Sequence, residues 1–356
     1  MHRCGPGHRH DLWVDSNPSG LAADEPVAWF AGTLGVGLAE VTHEASRLDA
    51  GGWWAVVLTY EGRLTAARFT DVGRGALPPA PWPGVAARAW VSSMDQASYE
   101  AGVRAIRDRI ATGEVYQANL CRVLSARLGP GSDIAGLAGL LAVGNPAPYA
   151  GLVRVPQIGV QVATASPELF VRRSANVIES KPIKGTGRTA ADLLPKDEAE
   201  NIMIVDLVRN DFGRVCVPGS VRVPQLLQLQ EHPGLVHLVS TVQGELVPGA
   251  GWADIFAATF PPGSVTGAPK SSALRVIDSL ETAERGVYCG AVGWVDADRG
   301  TAELAVGIRT FWADGDTLRF GTGAGITWGS DPYGEWVETE LKASRLLAVA
   351  AQGVRV

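Results

Sequence analysis

The sequence predicts an α+β fold, with large antiparallel sheets and helices on the outside. Three observations carry that prediction. Strand-like and helix-like stretches mix without the regular alternation of a doubly wound parallel sheet. The strand-like stretches are apolar, β-prone and punctuated by glycine. At 356 residues and 46% hydrophobic content, the chain is long enough to bury a large core.

Taken in order, Val27 to about Arg68 reads as strand, with Trp29-Phe30-Ala31-Gly32-Thr33-Leu34 and Trp53-Trp54-Ala55-Val56-Val57-Leu58 its strongest runs. Pro78-Pro79-Ala80-Pro81-Trp82-Pro83-Gly84 suits neither helix nor central strand and marks a connection. Ser98 to Ala111 predicts an amphipathic helix with a Ser N-cap, Val103, Ile106 and Ile110 on one face, and Gly113 as its stop. Helices are further expected over Asp197 to Val208, Ser271 to Leu280 and Gly334 to Ala351. Strands are expected over Val236 to Val242, Gly290 to Val295, Ala302 to Thr310 and Leu318 to Gly321. We expect one unit over 1–356, with a short strand-rich subregion at 1–85 and a catalytic core at 95–350.

Charged residues make up 19% and the formal net charge is −6, with no basic patch, so nucleic acid is not an expected partner. Apolar runs such as Gly136 to Val143 are far shorter than the roughly 20 residues of a membrane helix. The start has no apolar stretch resembling a signal peptide. Cys4, Cys121, Cys216 and Cys289 lack paired spacing, which suggests reduced thiols in a cytoplasmic protein.

Two glycine-rich stretches imitate nucleotide motifs and fail. In Gly263-Ser264-Val265-Thr266-Gly267-Ala268-Pro269-Lys270-Ser271, Ala-Pro separates the glycine from Lys-Ser, and Pro269 removes a backbone N–H that a phosphate cradle uses. Gly321-Thr322-Gly323-Ala324-Gly325 has the wrong spacing for a dinucleotide fingerprint, although its bare N–H groups suit a carboxylate.

The chemistry concentrates around Lys184. An amine nucleophile must be unprotonated, which at an ordinary lysine pKa costs roughly 4.6 kcal/mol at pH 7, so a catalytic lysine needs a desolvated or cationic setting. Glu168 precedes it by sixteen residues and Glu200 follows it by sixteen. Asp197 and Glu200 are three apart, as are Glu335 and Glu338, so each pair shares one face of its helix. Such faces are ordinarily solvated; if they met, they would make an oxygen-rich site suited to Mg²⁺. Lys342, four after Glu338, is by default an i,i+4 partner. His237, Tyr288 and Arg309, taken singly, read as structural.

In order along the chain, Gly113 to Leu120, Ser166-Pro167-Glu168-Leu169-Phe170, Pro182-Ile183-Lys184-Gly185-Thr186 and Lys196 to Asn201 resemble the chorismate-utilising enzymes. So do Val205 to Asp211, His237 to Ser240, Pro262 to Lys270, Arg285 to Gly290 and Gly323 to Ile326. The match is closest to the aminodeoxychorismate synthase component I (para-aminobenzoate synthase) branch. Relatives that add water carry a base lysine where this chain has Gln117; anthranilate synthase large subunits carry alanine where it has Lys184.

The resemblance implies that the sheets pack in a sandwich with the active site between the sheets, and it implies the following roles. Lys184 is the covalent nucleophile and Glu168 the acid that protonates the departing 4-hydroxyl. Glu200 and Glu338 hold Mg²⁺, with Asp197 and Glu335 acting directly or through water. Gly323, Gly325 and Lys342 bind the ring carboxylate, Tyr288 and Arg309 the enolpyruvyl carboxylate, and His237 and Thr266 line the ring. The implied partners are chorismate and ammonia from a separate glutamine amidotransferase subunit, in folate (para-aminobenzoate) biosynthesis. Alternatives are anthranilate synthase component I and a catalytically silent regulatory subunit. The family usually continues Gly-Thr-Arg-Pro-Arg, whereas Gly187-Arg188-Thr189 follows Thr186 here, which implies altered loop packing.

Overall fold

The computed structural model describes residues 22, 24–187, 189–193, 195–232 and 235–354. Its eighteen strands pair antiparallel throughout and form one hydrogen-bonded sheet. The α+β expectation holds, and the layers of the sandwich are parts of one curled sheet.

The path of that sheet can be walked from strand to strand. Gln117–Arg127 pairs with Thr317–Ile326, then Thr310–Asp314, Val160–Ser166 and Tyr149–Val155 follow. Val27–Phe30, Thr33–Thr42, Leu64–Arg74 and Trp53–Leu58 continue it. Ala291–Asp296, Thr301–Val306, Leu169–Ser174, Val177–Lys181 and Leu235–Glu245 complete it, the last also taking Ile183–Gly187 and Arg222–His232. The first and last strands of this walk carry the two halves of the candidate site.

Six helices pack against the sheet: α1 (Gln96–Ala111), α2 (Ile134–Gly144), α3 (Pro195–Gly213), α4 (Trp252–Thr259), α5 (Lys270–Leu280) and α6 (Pro332–Ala350). In α1 the cap is Asp95 and not the serine expected: its carboxylate accepts from Ser98 N at 2.8 Å. The buried stripe Tyr99, Val103 and Ile106 meets Leu120 and Ala324, and Gly102 lets Leu120 approach where a Cβ would sit 2.8 Å from Cδ2. Each such apolar side chain contributes roughly 1.5–3 kcal/mol.

One expected strand is broken and two helices are additional to those expected. The strand expected over Ala302 to Thr310 breaks at Gly307–Arg309, where Gly307 packs so closely on Val287 O that a Cβ would lie at 2.1 Å, and Arg309 takes φ +52°. The α2 helix went unread because it is apolar on nearly every side and shows no 3.6-residue stripe; α4 was likewise unread. The proline-rich connection is as expected neither helix nor named strand, and it is fastened by Trp82, which is buried and donates from Nε1 to Ala350 O at 2.8 Å.

Candidate active site

Lys184 lies on Ile183–Gly187, opposite Leu238 of the neighbouring strand. The register shifts between Lys184 and Thr186, where Gly185 adopts φ +76°. Only glycine fits there, since an added Cβ would come within 2.8 Å of Asp197 Cβ. That contact seats the start of α3 on the lysine strand. Asn201, fully buried on α3, fastens it by donating to Leu238 O at 3.0 Å and accepting from Ser240 Oγ at 2.5 Å. As a result Lys184 Nζ stands 3.9 Å from Glu200 Oε2.

At the other end of the sheet, α6 lies along Thr317–Ile326, capped by the Asp331 carboxylate on Gly334 N at 2.8 Å. Lys342 Nζ sits 2.7 Å from Glu338 Oε1 and donates to Gly323 O at 3.2 Å. The two ends meet electrostatically. Burial raises Glu200, opposed by Lys184 and reinforced by Asp197 and Glu338. Burial pushes Glu338 up too, but Lys342, Lys196 and Lys184 leave it below the usual carboxylate range. Burial raises Glu335, partly offset by its hydrogen bond with Ser330. The acidic ends of α3 and α6 are thus near enough for Glu200 and Glu338 to act on one another's charge, while the Glu338 side chain remains 45% exposed.

No group of three or more acidic, histidine or cysteine side chains among the described residues is close enough to hold a metal alone. Glu200 and Glu338 are the carboxylates that could contribute to a Mg²⁺ site, an ion that keeps part of its hydration shell and needs few protein ligands.

Glu168 occupies the tight link between Val160–Ser166 and Leu169–Ser174, only 4% exposed. Burial raises its carboxyl to about 7, against the opposing pull of the Ser264 hydroxyl, Lys184 and the Ile183 backbone. A carboxyl so poised can hold a proton at neutral pH and release it to a leaving group.

The remaining expected residues have the following settings. His237 is buried opposite Thr186, and Thr266 is fully buried, its carbonyl accepting from Asn119 N at 2.7 Å. The Tyr288 ring lies on bare Gly321, where a Cβ would be 2.0 Å from Cγ. Burial lowers Arg309, with Arg345 adding repulsion, and its guanidinium has no hydrogen-bond or ion-pair partner among the described residues, a setting suited to an anion. At Gly325 a Cβ would be 2.3 Å from Gln117 Nε2. Gln117 is fully buried and neither amide atom has a partner, which points to a ligand or water there.

Several residues of the site were quoted within motifs without a role. Besides Asn201, Asp211 pairs with Lys270 at 2.5 Å behind Glu168, and Ser264 faces Glu168. Polar residues inside apolar motifs were their only signal. Cys121, Cys216 and Cys289 are free and buried, while Cys4 lies outside the described residues. No helix of the described residues is long and apolar enough to cross a membrane.

The anthranilate synthase component 1 of Saccharolobus solfataricus is 38% identical over 74% of this chain and 64% of its own length. The aminodeoxychorismate synthase component 1 of Klebsiella aerogenes is 37% identical over 73% of this chain and 59% of its own. The chain thus spans about three fifths of the length of these curated relatives. The menaquinone-specific isochorismate synthase of Escherichia coli superposes with a TM-score of 0.77 at 18% identity, over 97% of this chain and 92% of that one, which shows a common fold. A family profile described as chorismate binding enzyme matches residues 62–348, so this chain belongs to the chorismate binding enzyme family.

Proposed function

We propose that the chain aminates chorismate at C4, giving 4-amino-4-deoxychorismate, with ammonia supplied by a separate glutamine amidotransferase subunit. The observation that carries this reading is Lys184 itself, held 14% exposed beside Glu200 and within the field of Glu168. A lysine so enclosed, in the Pro-Ile-Lys-Gly-Thr motif, sets this chain apart from the anthranilate branch, and Gln117 in place of a base lysine leaves water unactivated.

The steps follow from these residues. The free amine of Lys184 bonds to C2 of the ring, both conjugated ring double bonds shift towards C4, and the 4-hydroxyl departs as water with the proton of Glu168. Ammonia then bonds to C4, both double bonds return, the lysine amine is expelled from C2, and the proton shed by the new C4 nitrogen restores Glu168. The balance is chorismate plus ammonia to aminodeoxychorismate plus water. Arg309 and Tyr288 would hold the enolpyruvyl carboxylate; Lys342 and the N–H groups of Gly323 and Gly325 would hold the ring carboxylate. Glu200 and Glu338, with Asp197 and Glu335 near them, would hold Mg²⁺, which anchors the ring carboxylate and offsets its charge. We place the reaction in the cytoplasm, feeding para-aminobenzoate and folate synthesis.

The test is product identification after incubation with chorismate, Mg²⁺ and ammonium, with and without a lyase that releases para-aminobenzoate. Lyase-dependent para-aminobenzoate is expected. Fluorescent anthranilate formed without a lyase would support instead the second reading, favoured by the 38% identical relative. No Mg²⁺-dependent turnover at all would favour a silent subunit.

A further inference from the structure

One buried ion pair lies outside the catalytic set yet touches its supports. Arg285, 1% exposed, engages Glu281 through both edges, Nε to Oε2 at 2.8 Å and Nη2 to Oε1 at 2.6 Å. Its other donors reach two backbone carbonyls, Val265 O at 2.8 Å and Asn119 O at 3.2 Å. Glu281 Oε1 also accepts from Cys121 N at 2.8 Å. The guanidinium carbon stacks 4.3 Å from the Tyr60 ring centroid.

The edge of Gln117–Arg127 explains why so many groups converge. On that edge the short strand Val91–Ser92 covers Leu124 and Ser125, and Gly267–Ala268 covers Gln117 and Ala118. Between them the backbone has no neighbouring strand. The gap is filled by Thr266 O on Asn119 N, by Glu281 on Cys121 N, by Arg285 on Asn119 O and by Ser93 Oγ on Val123 N at 3.0 Å. Buried backbone groups must be paired, and here charged side chains do what a strand would do.

What they hold belongs to the site. Asn119 and Gln117 flank Gly325, Val265 precedes Thr266, and Tyr288 N donates to Arg285 O at 3.1 Å. The Leu58–Leu64 turn closes the arrangement from outside, through Tyr60 N on Gly286 O at 2.8 Å and Glu61 on Gly286 N at 3.1 Å.

We propose that Arg285 is a positioning residue: locked to Glu281, its guanidinium replaces the absent strand beside Asn119–Val123 and keeps Asn119, Thr266 and Tyr288 aligned around the ligand. The inference rests on the chorismate reading above only for the identity of the ligand. Lysine cannot substitute, because one ammonium cannot span a bidentate carboxylate and two carbonyls in one plane.

The test compares Arg285→Ala and Arg285→Lys with the wild-type protein. It measures chorismate binding by calorimetry with Mg²⁺, ammonium-dependent turnover, and melting temperature, each with and without added methylguanidinium. Both variants are expected to lose at least tenfold in turnover per folded molecule. Methylguanidinium should restore at least a third of the wild-type rate to Arg285→Ala while leaving Arg285→Lys unrescued. Turnover within threefold of wild type in either variant would overturn the proposal. So would methylguanidinium that restores the melting temperature without the rate, since the role would then be stability alone. If Arg285→Ala does not fold, Arg285→Lys decides: it should be folded and slow, and a folded, fully active Arg285→Lys overturns the proposal. A wild-type protein that neither binds nor turns over chorismate sinks the functional reading and this role together; a competent wild type with indifferent variants sinks this role only.

Discussion

Lys184 Nζ lies 3.9 Å from Glu200 Oε2, close enough for strong attraction and too far for a hydrogen bond, with both side chains mostly buried. The amine is therefore aimed into the site without being tied to the carboxylate.

From this placement, Lys184→Ala is expected to lose the 4-amino product by at least a thousandfold. Chorismate affinity should change by less than about threefold, because other residues hold the carboxylates. Chromatography with mass detection, beside calorimetric binding, reads both quantities. Undiminished 4-amino product from the variant would rule out a covalent lysine.

The Glu168 carboxyl, raised to about 7 by burial, implies a definite pH response. As an acid it works protonated, so turnover should fall as pH rises through about 7. The same shift acts on stability. The protonated form is favoured in the fold, so its contribution is complete below the unfolded carboxyl value and is lost as pH climbs through about 7. Glu168→Gln should consequently be more stable than wild type at pH 8, by up to about 3 kcal/mol, while turning over poorly. Denaturant titrations at pH 5 and pH 8 check this; an equal stability difference at both would contradict it.

Glu338 acts on the charge of Glu200 and pairs with Lys342 at 2.7 Å. Glu338→Gln removes one of the two charges that would hold Mg²⁺, and about a tenfold higher Mg²⁺ concentration should be needed for half-maximal turnover. An unaltered Mg²⁺ titration would remove this residue from the ligand set.

Asn201 joins α3 to the strand beside Lys184. Its replacement by alanine leaves the Leu238 carbonyl and the Ser240 hydroxyl short of partners in a dry interior, at a cost of about 2 kcal/mol. Thermal unfolding should show the loss. Activity should fall further than stability alone explains, since the Lys184–Glu200 distance depends on this seam.

Much of the architecture could be read from local pattern. The α1 stripe, the acidic pairs at spacing three and the strand runs such as Trp53–Leu58 each obey a short-range rule, and each stands close to where it was expected. What escaped is instructive. The α2 helix has no polar face to betray its period. The Gly307–Arg309 break depends on a carbonyl from another segment. Asn201, Asp211 and Arg285 matter through partners 37 to 166 residues away, which no window along the chain can display.

Read alone, the residue order specified an antiparallel α+β protein with a lysine, an acid and two carboxylate pairs, because periodicity and motif spacing are short-range properties. Folding alone settled that Glu168 is dry, that Glu200 and Glu338 act on one another's charge, and that Arg285 fills a gap in a strand edge. Those facts depend on solvent exclusion and on a curled sheet bringing its two ends together, and both arise only once distant segments have packed.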